Sequence, residues 1–260
     1  MYTNIDGLLS GMLELRDYLR EKKPDVICLT KTKLRKEIQL NFKKEGYHIW
    51  RRDREEKGGG GVLIMTRDGI NVEDVKRGGE KTEVISIKIR MMRGDKRRII
   101  LAYIPPKTNA WGHEEYKSMR NGAMRYLDNL LSEGGKVLML GDFNCKNINW
   151  KDMEVKGNLG TWEEKMVQLA MVNTMDQWVD EYTRHRGEDE PSMLDLVFTK
   201  RPEAGPSMEY LSPIGKSDHV TIEIELQDTE VQFRNEEHRN GRLNHAKTNF
   251  ETNEGLLQWS

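Results

Sequence analysis

Apolar residues recur with helical spacing near the start of the chain, at Leu8, Leu9, Met12, Leu15 and Leu19, and predict an amphipathic helix that ends near Pro24. Ahead of it, Met1 to Ile5 reads as the tail of a strand lacking its upstream half, which would leave a central sheet position short. Val26 to Leu29 and Tyr47 to Trp50 are short runs of strand type. Beyond the glycines at 58 to 61, strands are predicted at Val62 to Met65, Val72 to Val75, Val84 to Ile89 and Arg98 to Tyr103, with a turn at Gly94-Asp95. Pro105-Pro106 leads into a helix from Glu114 to Leu131, and Gly134-Gly135 closes it before the buried-type strand Val137 to Leu140. A third helix over Trp162 to Met171 and strands at Met193 to Thr199 and Val220 to Leu226 complete the pattern.

Strands and helices mixed throughout predict an α/β layered fold, and no internal repeat interrupts it. From Gln227 the composition turns polar, so one domain is expected over 1–226 and a linker over 227–260. With 36% hydrophobic and 33% charged residues, the chain has the composition of a soluble globular domain. The start carries no signal-peptide pattern, and no apolar run is long enough to span a membrane. Cys28 and Cys145 make no spaced pair, so a reducing intracellular compartment is expected. The 42 basic and 43 acidic residues leave no overall positive excess for nucleic acid, so any basic footprint must be local. Arg51, Arg52, Arg54 and Lys57 form a candidate patch, with a solvated loop as the plain alternative.

Five polar signatures fall at or near predicted strand ends, where α/β folds gather their sites: Asn4 with Asp6, Tyr103, Asp142 with Asn144, Asp195, and Asp218-His219. Taken singly, Asn4 or Asp6 is more often a helix cap or turn former, and Gly141-Asp142-Phe143-Asn144 reads equally as an Asx turn. Asp195 is harder to dismiss, because it is expected in the middle of an apolar strand, where an unpaired carboxylate costs several kcal/mol. His219 is its natural partner, since a carboxylate on one ring nitrogen fixes the tautomer of the other. Carboxylate and amide oxygens without soft ligands suit Mg²⁺ or Mn²⁺ and phosphodiester hydrolysis. In that chemistry Asp142 and Asn144 would orient an attacking water, while His219 would bind the phosphoryl oxygens. The glycine run at 58 to 61 lacks the lysine and following helix of a phosphate-binding loop. Met65, Met139, Trp162 and Trp178 read as core or rim residues.

These motifs, in this order, resemble the endonuclease/exonuclease/phosphatase superfamily of apurinic-type endonucleases and pancreatic deoxyribonuclease. The resemblance covers roughly residues 1–226. It runs through Asn4-Ile5-Asp6-Gly7-Leu8, Pro24 to Leu34, Tyr103-Ile104-Pro105-Pro106, Gly141 to Asn144, Leu194 to Thr199 and Ser217-Asp218-His219. Further features are similar to the endonuclease domains of non-LTR retrotransposons. These are Tyr2-Thr3-Asn4, Arg51 to Arg54 before a glycine run, Thr183-Arg184 ahead of Ser192 to Asp195, and a trailing Asn249-Phe250-Glu251 segment ending near Trp259. The resemblance implies a deoxyribonuclease-I-like four-layer sandwich of two mixed β-sheets flanked by helices. It implies an endonuclease that nicks DNA, with Asn4, Tyr103, Asp142, Asn144, Asp195 and His219 catalytic. Asp218 and, in an outer shell, Asp6 would serve the metal, and Arg51, Arg52, Arg54 and Arg184 would contact DNA. A monomeric domain, once fused to a reverse transcriptase and nuclear in location, is the corresponding expectation.

One position departs from the pattern. Where the family carries a metal-binding glutamate, this chain has Lys31, within Thr30-Lys31-Thr32. An ammonium removes an oxygen ligand and brings a like charge towards the cation, so metal binding is expected to weaken strongly. A non-catalytic remnant that binds DNA or a protein is therefore the alternative reading, and Lys31 touching the phosphate itself is a further one. A relative cleaving phospholipid head groups shares the chemistry but draws no support from the basic signatures.

Overall fold

The computed structural model describes residues 1–227, apart from 56, 57, 80, 93, 110 and 157–160. Lys57, the expected linker beyond Gln227 and the Asn249 to Trp259 segment lie outside the described residues. The chain runs in the order β1 (Tyr2–Asn4), α1 (Met12–Lys22), β2 (Val26–Thr30), β3 (Tyr47–Arg52), β4 (Val62–Arg67), β5 (Val72–Arg77), β6 (Val84–Arg90) and β7 (Lys96–Tyr103). It continues through α2 (His113–Ser132), β8 (Lys136–Asp142), β9 (Ile148–Asn149), β10 (Glu154–Val155), α3 (Trp162–Val172), β11 (Met175–Gln177), β12 (Asp195–Lys200), β13 (Ser207–Leu211) and β14 (Thr221–Glu225).

Two six-stranded mixed sheets result, in the orders β13-β14-β1-β2-β4-β3 and β11-β12-β8-β7-β6-β5, beside the small β9-β10 hairpin. The alternation of side chains along each strand explains why they stack. In β8, Leu138 and Leu140 face the other sheet, while Val137 and Met139 face α2 and α3. In β4, Val62 and Ile64 point into the sandwich, and Leu63 and Met65 pack under α1 with Leu15 and Leu19. Strands buried on both faces read as continuous apolar runs, as these do. Three apolar layers thus separate four structural ones, the deoxyribonuclease-I-like sandwich. No helix among the described residues is long and apolar enough to cross a membrane.

The first helix begins at Met12 rather than Leu8, because Gly7 to Gly11 forms turns and the backbone N–H of Leu8 is drawn to the Thr32 carbonyl, 2.9 Å away. Asp195 is the first residue of β12, not its middle, so its carboxylate emerges at a sheet end instead of within the apolar body. β1 has only three residues, yet it holds a central position, parallel to β2 and antiparallel to β14. A cavity of about 600 Å³ opens beside Met1, where β2 and β14 run on past it.

Candidate active site

Four strand ends meet at one edge of the sandwich. Tyr2 and Asn4 are two apart on β1 and so share a face. In the other sheet, β8 ends at Asp142, which pairs with Tyr103 of β7 on one side and Asp195 of β12 on the other. Gly141 permits this convergence: its φ is +152°, and a methyl group there would stand 1.9 Å from the Ala102 carbonyl oxygen. Asp218 and His219 follow from the segment that enters β14.

The side chains then form a connected, buried network. Asn4 Nδ2 donates to Asp142 Oδ2 at 2.9 Å and lies 3.3 Å from His219 Nε2. His219 Nδ1 sits 2.6 Å from Asp195 Oδ2, and the Tyr2 hydroxyl donates to the other oxygen, Oδ1. Thr183 Oγ1 accepts from the backbone N–H groups of Leu194 and Asp195, both at 3.1 Å, and so anchors the start of β12. Asn144, with a left-handed backbone (φ +49°), donates its backbone N–H and its side-chain amide to Asp142 Oδ1. The same amide reaches the Ile104 carbonyl at 2.8 Å, which fixes the loop after β8 to the loop after β7.

Burial governs the electrostatics. Asp142 is held above the usual carboxylate range by burial first and by the neighbouring Asp195 charge second. For His219, burial alone would lower the pKa. The Asp195 carboxylate, then Asp142 and Asp218, outweigh it and push the imidazole up to about 9. A protonated ring has two donors, so Nε2–H does not bond to the Asn4 amide and is directed to an acceptor, Asp218 Oδ1 at 3.6 Å or an incoming oxyanion. Burial likewise raises the Tyr103 phenol, which lies at the end of β7 with the Arg54 guanidinium 5.8 Å from its ring.

The remaining acidic groups are occupied by cations. Asp6 Oδ1 receives both Lys31 Nζ at 2.5 Å and Lys33 Nζ at 2.9 Å. Although burial opposes it, bonding to these lysines holds the Asp6 carboxyl below its ordinary range. Asp218 Oδ2 accepts from Arg184 Nε at 2.9 Å, and its other oxygen lies 3.6 Å from His219 Nε2. Asp6, Asp218 and position 31 therefore do not fit a divalent ion as the chain stands, since three cationic groups already neutralise the two carboxylates. Asp142, Asp195 and His219 do bring ligand atoms within 4.8 Å of one another and could hold a metal. Tyr2, Asn4 and Asn144 already donate to those carboxylates.

The expected DNA-contacting arginines are used structurally. Arg51 bonds to the Ile38, Lys36 and Arg35 carbonyls and to Asp53. Arg52 is buried, clasping the Gly78 and Gly79 carbonyls. Arg54 binds Glu83 and lies against Trp111 as well as Tyr103, and Arg184 serves Asp218. Arg52 in particular faces the interior because β3 alternates, which corrects its place in a surface patch.

Sequence reasoning passed over Tyr2, Thr183 and Glu83 as site supports. The same-face spacing of Tyr2 and Asn4 was the available signal for the first. Glu83 has an acidic side chain directly ahead of an apolar strand, and it accepts from Gly61 N–H and from Arg54. The glycine run, no phosphate loop, supplies carbonyls to the neighbouring turn: Thr32 N–H to Gly61 at 3.2 Å and Lys33 N–H to Gly60 at 2.7 Å.

Residues 97–223 match the family model described as endonuclease-reverse transcriptase. An exodeoxyribonuclease of Bacillus subtilis (strain 168) is 24% identical over 166 residues, which are 60% of this chain and 62% of that protein. The chain thus spans less than two thirds of this curated relative. Among solved structures, the 3'-5' exonuclease NExo of Neisseria meningitidis superimposes with a TM-score of 0.68 at 16% identity, covering 86% of this chain and 98% of that one. The catalytic domain of Xenopus laevis APE2 gives 0.68 at 15% identity, covering 90% and 93%. A Neisseria 3' phosphatase bound to a product DNA hairpin gives 0.67 at 15%, covering 86% and 97%. The ordered motifs and the paired six-stranded sheets agree with the family match, and over residues 97–223 the chain is similar to the endonuclease-reverse transcriptase members of the endonuclease/exonuclease/phosphatase superfamily.

Proposed function

We propose that this chain is a phosphodiester hydrolase domain of the retrotransposon endonuclease type, built to nick a DNA strand, with its cation position compromised by Lys31. One observation carries this reading. Asn4, Asp142, Asp195 and His219, scattered over more than two hundred residues, gather into one buried polar cluster at a sheet edge, with Asn4 bonded to Asp142, His219 to Asp195, and the two pairs 3.3 Å apart. A protein with no use for the network would not bury two carboxylates there, because their desolvation is unfavourable without a compensating role. The Endonuclease-reverse transcriptase match and the DNA-processing relatives support DNA as the substrate.

In this reading Asp142, its basicity raised towards neutrality, accepts a proton from a water that Asn144 helps to orient for in-line attack. His219, protonated and held by Asp195, donates from Nε2 to the phosphoryl oxygens as negative charge accumulates. Tyr103 contributes a phosphate contact from the end of β7. A divalent ion, Mg²⁺ or Mn²⁺, would supply charge neutralisation beside Asp6 and Asp218, where in this chain ammonium and guanidinium groups stand on both carboxylates. A domain fused to a reverse transcriptase, monomeric by itself and acting in the nucleus, accords with the same reading.

A plasmid-nicking assay in Mg²⁺ tests it, comparing this chain with Lys31→Glu. The wild-type chain should leave supercoiled plasmid largely intact, and K31E should convert it to open circles. A folded K31E protein that leaves the plasmid supercoiled removes the site assignment. The Asp6 clamp by two lysines favours a second reading, a catalytically silent domain that retains only DNA or protein binding. Turnover by the unmodified chain would exclude that reading.

A further inference from the structure

Two ammonium groups share one carboxylate oxygen at the mouth of the site. Lys31 and Lys33 both reach Asp6 Oδ1, while their side chains remain 30% and 41% exposed. One carboxylate neutralises one of these charges and leaves the other in surplus. Among the described residues, seven non-glycine positions have positive φ, and Asp6, Lys31 and Lys33 are three of them, at +46°, +53° to +55°. Lysine gains nothing locally from the left-handed region, which costs it roughly 1 kcal/mol, so the surrounding structure imposes these conformations. The imposing contacts are visible: Thr32 and Lys33 N–H bond to Gly61 and Gly60, and Leu8 and Ile5 N–H bond to Thr32 and Thr30 carbonyls. Both ammonium groups are therefore presented from a fastened turn and not from a free loop.

The turn adjoins the site through Asp6, whose backbone N–H donates to Asn4 Oδ1 at 3.2 Å, and the Lys31 charge acts on the Asp142 carboxyl. Asn4 in turn donates its amide to Asp142 Oδ2 at 2.9 Å and lies 3.3 Å from His219 Nε2. Two ammonium groups sharing one carboxylate oxygen leave positive charge in surplus, and as compact point charges they suit the non-bridging oxygens of a phosphodiester.

We propose that Lys31 and Lys33 form a metal-independent phosphate grip, through which this chain binds the DNA backbone with no divalent cation. This rests on reading the site as one for phosphodiesters, and it separates binding from turnover. An ammonium supplies charge, yet it has no coordination position at which a water could be acidified.

The test is fluorescence polarisation of a labelled DNA duplex with the full chain, in EDTA and in millimolar Mg²⁺. Lys31→Met, Lys33→Met, their double variant and Lys31→Glu would be compared with Lys136→Met, a control at the opposite end of β8 from Asp142. The wild-type chain and K136M should bind in EDTA, with Mg²⁺ changing affinity by less than about twofold. The double variant should bind about tenfold more weakly, and its log affinity should fall with log salt less steeply, by about two charges' worth. K31E should need Mg²⁺ to bind. The proposal is overturned if the wild-type chain binds only with Mg²⁺ or in neither buffer, or if a folded double variant binds like wild type. The wild-type comparison between buffers decides even if a variant fails to fold. Should the wild type grip DNA in EDTA while K31E binds with Mg²⁺ and never nicks, the hydrolase reading falls and the grip stands. Should the wild type require Mg²⁺, the grip falls and the hydrolase reading survives.

Discussion

Tyr2 and His219 divide the two oxygens of Asp195 between them, and this sharing sets how the network responds to substitution and to pH. Tyr2→Phe keeps the ring volume and removes one donor to a fully buried carboxylate, so denaturant unfolding should show a loss of about 1–3 kcal/mol with the fold retained. Because Asp195 raises the imidazole pKa, the folded protein holds the His219 proton up to about pH 9, whereas an unfolded chain releases it near about 6.5. A group raised on folding stabilises fully below its unfolded pKa and ceases to do so as pH climbs through the folded one. The raised Asp142 acts with the same sign. Urea midpoints should therefore fall between about pH 6 and about pH 9. In Asp195→Asn the His219 ring resonances should titrate close to the ordinary histidine value by NMR. An unchanged His219 titration in that variant would remove Asp195 as the cause.

At the scale of elements, the end of β8 depends on one residue without a side chain. Gly141→Ala would drive a methyl into the Ala102 carbonyl of β7 and force a positive φ on alanine, and it should destabilise by at least about 3 kcal/mol in chemical denaturation. A stable G141A protein with an intact β7–β8 pairing would contradict the close approach described for these strands. Strands such as β4 and β8 were legible in the sequence because burial on both faces writes their bodies as apolar runs. β13 escaped notice because, at the edge of its sheet, Ser207 to Leu211 are at most half-buried, and β9 and β10 are two-residue strands with no periodicity to read. The order of the site residues was visible, as was the Asp195–His219 partnership. The clamp of Lys31 and Lys33 on Asp6 was not, since it follows from left-handed turns that the local sequence does not specify, lysine being a poor marker for them.

Over the whole molecule, the two sheets are clasped at the β3–β4 connection as well as packed through their apolar faces. Glu83, just ahead of β6 in one sheet, accepts from Gly61 and Arg54 of the other, and Arg52 on β3 reaches back to the Gly78 and Gly79 carbonyls. Removing Glu83 leaves a largely buried guanidinium without its anion, so Glu83→Ala should cost about 3–5 kcal/mol by calorimetry or denaturant. E83A should also loosen the Gly60–Lys33 bond, read as faster amide exchange at Lys33. β1 has a different consequence at this scale, because its neighbours are β2 on one side and β14, some two hundred residues downstream, on the other. While the intervening residues emerge from the ribosome, Tyr2 and Asn4 have neither Asp195 nor His219 to meet them. The site's chemistry is thereby postponed until β14 arrives to close the sheet around β1.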